Sequence, residues 1–164
     1  MADTSHNIKI REHPEEKDGY IIPTHYTLNK IQLIDVMESQ LSKEGFIGFC
    51  KGLILKYLLR KNDDNDLRTS TKAKYYLDEL INFLSETDKP DETHLKPSYY
   101  KNDKLGLETI DIIEDQLPKE ELKGFYSGMV IRYVCRSSYK DHMLDDLIKA
   151  KYYLDRLIDY LKLS

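Results

Sequence analysis

Residues 72–80 read KAKYYLDEL and residues 149–157 read KAKYYLDRL. A phrase that returns with its lysines, paired tyrosines and leucines in step builds the same local structure twice, so the first constraint on the fold is an internal duplication. The halves overlay at an offset of about 75 residues. Pro23 and Tyr26 meet Pro97 and Tyr100, the segment from Ile34 to Glu44 meets that from Ile110 to Glu120, and Gly48 to Arg60 meets Gly124 to Arg136. Two copies are too few for a solenoid, which needs three or more to close its core. The expected outcome is two units packed together with pseudo-two-fold symmetry.

Each copy reads as three helices. Ile31, Ile34, Asp35 and Glu38 fit a short amphipathic first helix, Ser42 and Pro118 mark the start of the second, and the KAKYYLD phrases lie in the third. In that third helix Tyr76, Leu77, Leu80, Ile81 and Leu84 recur at helical spacing. No convincing alternating run argues for strands. The predicted class is all-α, with about six main helices in two pseudo-symmetric three-helix repeats. Residues 1–22 are polar and read as a flexible arm, residues 23–84 as the first repeat, 85–96 as a linker and 97–164 as the second repeat.

With 40% hydrophobic and 33% charged residues the chain can bury a core. No apolar run approaches the ~20 residues of a membrane span, and the N-terminus lacks the apolar stretch of a signal peptide. The expected location is the cytoplasm, without a membrane partner. Cys50 and Cys135 form no CxxC pair and are expected as buried, reduced thiols. A net charge of -4 argues against broad nucleic-acid binding while leaving room for local basic patches.

The second helix spaces Gly48, Gly52, Lys56 and Arg60 by four, and likewise Gly124, Gly128, Arg132 and Arg136, one ridge in each copy. For the glycines the first expectation is close approach of another helix, because glycine in a helix interior costs ~1 kcal/mol and packing is the usual compensation. The cations have two readings. They pair with Asp35 and Glu38 of the first helix, or they take the phosphates of a ligand, arginine bidentately. Like charges four residues apart are unfavourable unless an anion sits between them.

The third helix adds Lys72 and Tyr76 in one copy and Lys149 and Tyr153 in the other. Adjacent tyrosines point about 100° apart on a helix, so one of each pair enters the core and the other faces a groove. A tyrosine beside a lysine either caps the core or stacks a nucleobase. Asp35 and Glu38, with Asp111 and Glu114, set carboxylates at i and i+3, suited to Mg²⁺ beside a phosphate or to ion pairs with the second helix. Asp145 and Asp146 read as helix-start residues and face Arg68 and Thr69 of the first copy. There is no GxxxxGK[ST] loop, GxGxxG, HExxH, CxxC or GxSxG.

The order of Pro23-x-His25-Tyr26, IDVMESQL, GFCKG with KYLLR, and KAKYYLDEL resembles a small all-helical phage domain of nucleotide-kinase-like proteins, present here twice over about 60 residues of each half. The resemblance implies a phage origin and phosphorylation of deoxynucleoside monophosphates without a phosphate loop. Carried over by position, its pattern falls on His25, Tyr26, Asp35, Glu38, Lys56, Tyr57, Arg60, Lys72 and Tyr76 in the first copy, and on Tyr100, Asp111, Glu114, Arg132, Tyr133, Arg136, Asp146, Lys149 and Tyr153 in the second. Of these, His25, Tyr26, Lys56, Arg60, Lys72, Tyr76, Arg132, Arg136, Lys149 and Tyr153 are the expected ligand-binding residues. Departures are visible: the family's GN asparagine is Leu53 and Met129, its HY histidine is Tyr99 in the second copy, and its DLxKA aspartate is missing from the first.

The reading this supports is a nucleotide-binding phage protein in the host cytoplasm, with Mg²⁺-dependent phosphoryl transfer if it is an enzyme. The alternative is a non-catalytic inhibitor of bacterial defence, either a sponge for a nucleotide signal or a binder of a host immune protein. A third reading has the repeats build only a core, with burial of the second-helix cations in carboxylate pairs as its signature and exposed cations as evidence against it.

Overall fold

The computed structural model of the chain describes residues 27–28, 31–60, 66–87, 101–102, 107–139 and 143–163. The described residues form six α-helices: α1 Leu33–Gln40, α2 Lys43–Leu58, α3 Asp66–Thr87, α4 Thr109–Gln116, α5 Lys119–Arg136 and α6 Met143–Leu163. The all-α expectation holds. Each copy also carries a two-residue antiparallel pair that the sequence did not announce, β1 Thr27–Leu28 with β2 Ile31–Gln32 and β3 Lys101–Asn102 with β4 Leu107–Glu108. Pairs this short leave no room for alternation to show.

By packing, the chain divides into two compact units, Met1–Cys50 and Lys51–Ser164, and the division falls inside α2. In the first unit the β1–β2 pair runs directly into α1. The backbone N–H of Gln32 donates to Asp35 Oδ2 at 3.1 Å, which satisfies one of the donors a helix start leaves open. Leu41 is extended and ends α1. Ser42 then starts α2 as expected, its Oγ accepting the N–H of Gly45 at 3.1 Å. Phe46 and Cys50, one turn apart, are buried.

The second unit repeats the device. Glu108 N–H donates to Asp111 Oδ2 at 2.9 Å at the start of α4, and Pro118 precedes α5. Along α5 the residues Leu122, Tyr126, Val130, Tyr133 and Val134 are buried, the three-and-four spacing of a single helix face. Helix α5 packs on α6, and α6 packs on α3. The buried stripe of α3 is Ala73, Leu77, Leu80 and Leu84, and that of α6 is Ala150, Leu154, Leu157 and Ile158.

Across α3 and α6 the duplicated phrase pairs with itself. Lys74 Nζ donates to Asp155 Oδ1 at 2.5 Å, and its counterpart Lys151 donates to Asp78, the counterpart of Asp155. Within each helix Lys74 also lies 3.4 Å from Asp78 and Lys151 3.9 Å from Asp155. Four charges thus form a closed square. Burial pulls Lys74 down, but the bond to Asp155 and the nearby carboxylates outweigh it, so its pKa stands above the ordinary 10.5.

Two boundaries differ from the expected ones. Helix α3 continues to Thr87, into the segment read as linker, one turn past the buried Leu84, with Ser85 Oγ bonded back to the Ile81 carbonyl at 2.7 Å. Helix α2 ends at Leu58, so Arg60 lies past the ridge on which the spacing placed it. The remainder of the linker and residues 1–22 fall outside the described residues.

Candidate functional site

The glycines of the second helix do not mediate close packing. A Cβ added at Gly48, Gly52, Gly124 or Gly128 would meet nothing within 4 Å among the described residues, so none of the described helices is held against them as expected. The cations that follow in the same row divide into two kinds. Lys56, Arg60 and Arg132 are exposed, whereas Arg136 is half-buried and paired.

In the first copy the cations gather around an aromatic stack. The rings of Tyr57 on α2 and Tyr76 on α3 lie 5.9 Å apart at 11°, with Tyr75 edge-on to Tyr76 at 5.1 Å and 78°. Lys56 Nζ stands 5.7 Å and Lys72 Nζ 5.5 Å from the centroid of Tyr57. Two ammonium groups therefore share one π-face environment. Burial holds the Lys72 ammonium below its ordinary pKa, and Arg68, Arg60 and Lys56 lower it further. Among the described residues, no carboxylate forms an ion pair with Lys56, Arg60 or Arg68.

The second copy reproduces the stack. Tyr133 and Tyr153 lie 5.9 Å apart at 14°, and Tyr152 meets Tyr153 edge-on at 5.3 Å and 85°. Phe125 adds a further edge contact to Tyr153 at 5.9 Å. Arg132 and Arg136 take the lysines' places over the tyrosine, 5.9 and 4.8 Å from the centroid of Tyr133. Here one of the two charges, that of Arg136, is answered from within. Arg136 Nε donates to Asp146 Oδ2 at 2.8 Å while Nη2 reaches Oδ1, a bidentate pair on a carboxylate that is 3% exposed. Lys149 is half-buried on α6, one turn beyond Asp145 and Asp146.

Three of the four i, i+3 carboxylates make structural bonds. Asp35 and Asp111 bond the backbone at the starts of α1 and α4. Glu114 accepts from Tyr126 Oη at 2.5 Å and from Arg156 Nη1 at 2.6 Å, and burial together with that bond raises the Tyr126 phenol well above its usual range. Glu38 is half-buried on α1. Among the described residues no three histidines, cysteines or acids converge where a metal ion could be held. His25 and Tyr26 fall outside the described residues.

The resemblance's pattern already fell on Tyr57 and Tyr133, each directly after the cation of its ridge, although neither was among the expected ligand-binding residues; Arg68 had no place in the expected site.

Both clusters lie inside segments with known relatives. The profile of the family described as Protein of unknown function (DUF3310) matches residues 22–78 and again residues 95–155. The chain belongs to this family. Its duplication is a tandem pair of DUF3310 segments, and every residue of the two tyrosine–cation clusters falls within them. A stretch of 59 residues is 37% identical to the Gene 1.7 protein of Enterobacteria phage T3, covering 35% of this chain and 36% of that protein. The chain therefore matches about a third of its phage relative's length. No solved structure matches, and no described helix is long and apolar enough to cross a membrane.

Proposed function

We propose that this DUF3310 chain is a phage nucleotide-binding protein that holds phosphates on cations beside its stacked tyrosines. The observation that carries the reading is the set of cations around Tyr57, where Lys56 and Lys72 flank one ring and Arg60 and Arg68 add charge without carboxylate partners among the described residues. Like charges brought together on adjacent helices repel, and an anion bound between them turns that cost into attraction. The core-only reading predicts cations buried in carboxylate pairs, which describes Arg136 but not Lys56, Arg60 or Arg132.

A nucleotide's base would meet the exposed part of Tyr76 or Tyr153, and its phosphates would bring Mg²⁺ with them. If the bound nucleotide turns over, the reaction is phosphoryl transfer to a nucleoside monophosphate, driven by positioning and charge neutralisation. If it does not, the protein acts as a sponge for a nucleotide signal. The test is thermal stability across nucleoside mono- and triphosphates and cyclic dinucleotides, with and without Mg²⁺, for the wild type and Arg60→Ala. A rise with one nucleotide that is lost in Arg60→Ala supports the reading, and a turnover assay with that nucleotide then separates kinase from sponge. No rise with any nucleotide overturns it and turns the search toward a host protein.

A further inference from the structure

The two copies keep the same backbone device and the same aromatic stack, yet the first turns of their last helices differ in charge. Where α6 opens with Asp145 and Asp146, α3 has Arg68 and Thr69. In the second copy Asp146 lies under Arg136 as a bidentate partner. In the first, Arg60 corresponds to Arg136, and Thr69 corresponds to Asp146. Thr69 cannot neutralise a guanidinium, and its hydroxyl is turned to the Asp66 carbonyl at 3.1 Å. The exchange of Asp145 for Arg68 adds a further positive charge, four residues before Lys72 on the same helix.

We infer that the copies have divided their roles: the first holds one multiply charged phosphate anion among Lys56, Arg60, Arg68 and Lys72, while in the second the Asp146 carboxylate occupies the place of that anion against Arg136. The chain then offers one phosphate site although it contains two copies of the fold. The ligand class is a di- or triphosphate group, because a single monoanion does not match a group of four cations. The aromatic ring beneath Lys56 and Lys72 keeps both ammonium groups at the rim. The phosphate chemistry rests on the nucleotide reading above, whereas the division between the copies rests on the charges alone.

The experiment is calorimetric titration of the full chain with inorganic triphosphate, on the wild type, Arg68→Glu and Arg132→Ala. About one site per chain is expected, with at least about tenfold weaker binding in Arg68→Glu and a change within about twofold in Arg132→Ala. Arg68 is exposed, and the unliganded melting of each variant reports whether it folds. Should Arg68→Glu fail to fold, Lys56→Ala serves in its place, with the same loss expected. A second readout is the Lys72 side-chain titration by NMR, whose midpoint rises when triphosphate binds beside it.

Two equivalent sites, or equal losses in Arg68→Glu and Arg132→Ala, overturn the inference. So does triphosphate binding that none of these variants affects. The two proposals fail separately. Triphosphate bound at the first copy without competition from any nucleotide sinks the nucleotide reading and leaves this one. A nucleotide whose binding depends on Arg132 but not Arg68 does the reverse.

Discussion

Lys74 of α3 donates to Asp155 of α6, and Lys151 of α6 returns the same bond to Asp78 of α3. The exchange explains why the KAKYYLD phrase is kept in step in both copies: each helix supplies the cation for the other's carboxylate. All four side chains are 26% to 43% exposed, so the pairs are worth far less than buried ones. A double-mutant cycle on Lys74→Ala and Asp155→Ala, read by urea unfolding, should give a coupling of about 0.5–1 kcal/mol that shrinks with added salt. Zero coupling at low salt would reduce the square to a geometric coincidence.

The same square sets a pH dependence. The Lys74 pKa is raised in the folded chain, so its contribution is fully present below the unfolded value near 10.5 and is lost as pH rises through the folded value. Lys123, raised by its bond to Asp66, acts in the same direction. Stability measured by urea unfolding should therefore fall above about pH 10.5, and less steeply in Lys74→Met. An equal fall in the variant would assign the alkaline loss to other groups.

Open space around the glycines predicts a gain. Gly52→Ala and Gly128→Ala place a methyl where nothing among the described residues stands within 4 Å and reduce the backbone entropy lost on folding. Each should stabilise the chain by about 0.5–1 kcal/mol in urea unfolding. Destabilisation would mean that those helix faces are covered in solution.

The fold was legible because duplication and helical spacing are written in the chain itself. The six helices, Ser42 and Pro118 as helix starts, and the buried Leu77, Leu80 and Leu84 all follow from local pattern. What spacing could not give was the partner. Lys74 and Asp78 stand four apart on one helix, and only tertiary packing shows that each also bonds the other copy. Glu114 read either as a Mg²⁺ ligand beside Asp111 or as an ion-pair partner of the second helix, and spacing could not show that Tyr126 and Arg156 engage it. For the candidate site, the cations and Tyr76 and Tyr153 were visible as repeated residues. The exchange of Asp146 for Thr69 was visible too, but not its consequence, because only tertiary packing brings the Asp146 carboxylate onto Arg136.

The contrast between Arg136 and Arg60 yields the last prediction. Arg136→Ala strips a bidentate partner from Asp146, a carboxylate 3% exposed, and leaves a buried charge unanswered. The cost should be about 3 kcal/mol, at the lower end for a broken buried pair because Arg136 itself keeps 30% of its side chain in water. Arg60→Ala removes an exposed cation from among other cations and should change stability by less than about 0.5 kcal/mol. Urea unfolding of the two variants side by side tests this. Equal costs would mean that Arg60 has its own carboxylate in solution, and the electrostatic difference between the copies would vanish. If instead Asp146→Asn recovers part of the loss in the Arg136→Ala background, the penalty belongs to the orphaned charge rather than to lost packing of the guanidinium against Tyr133.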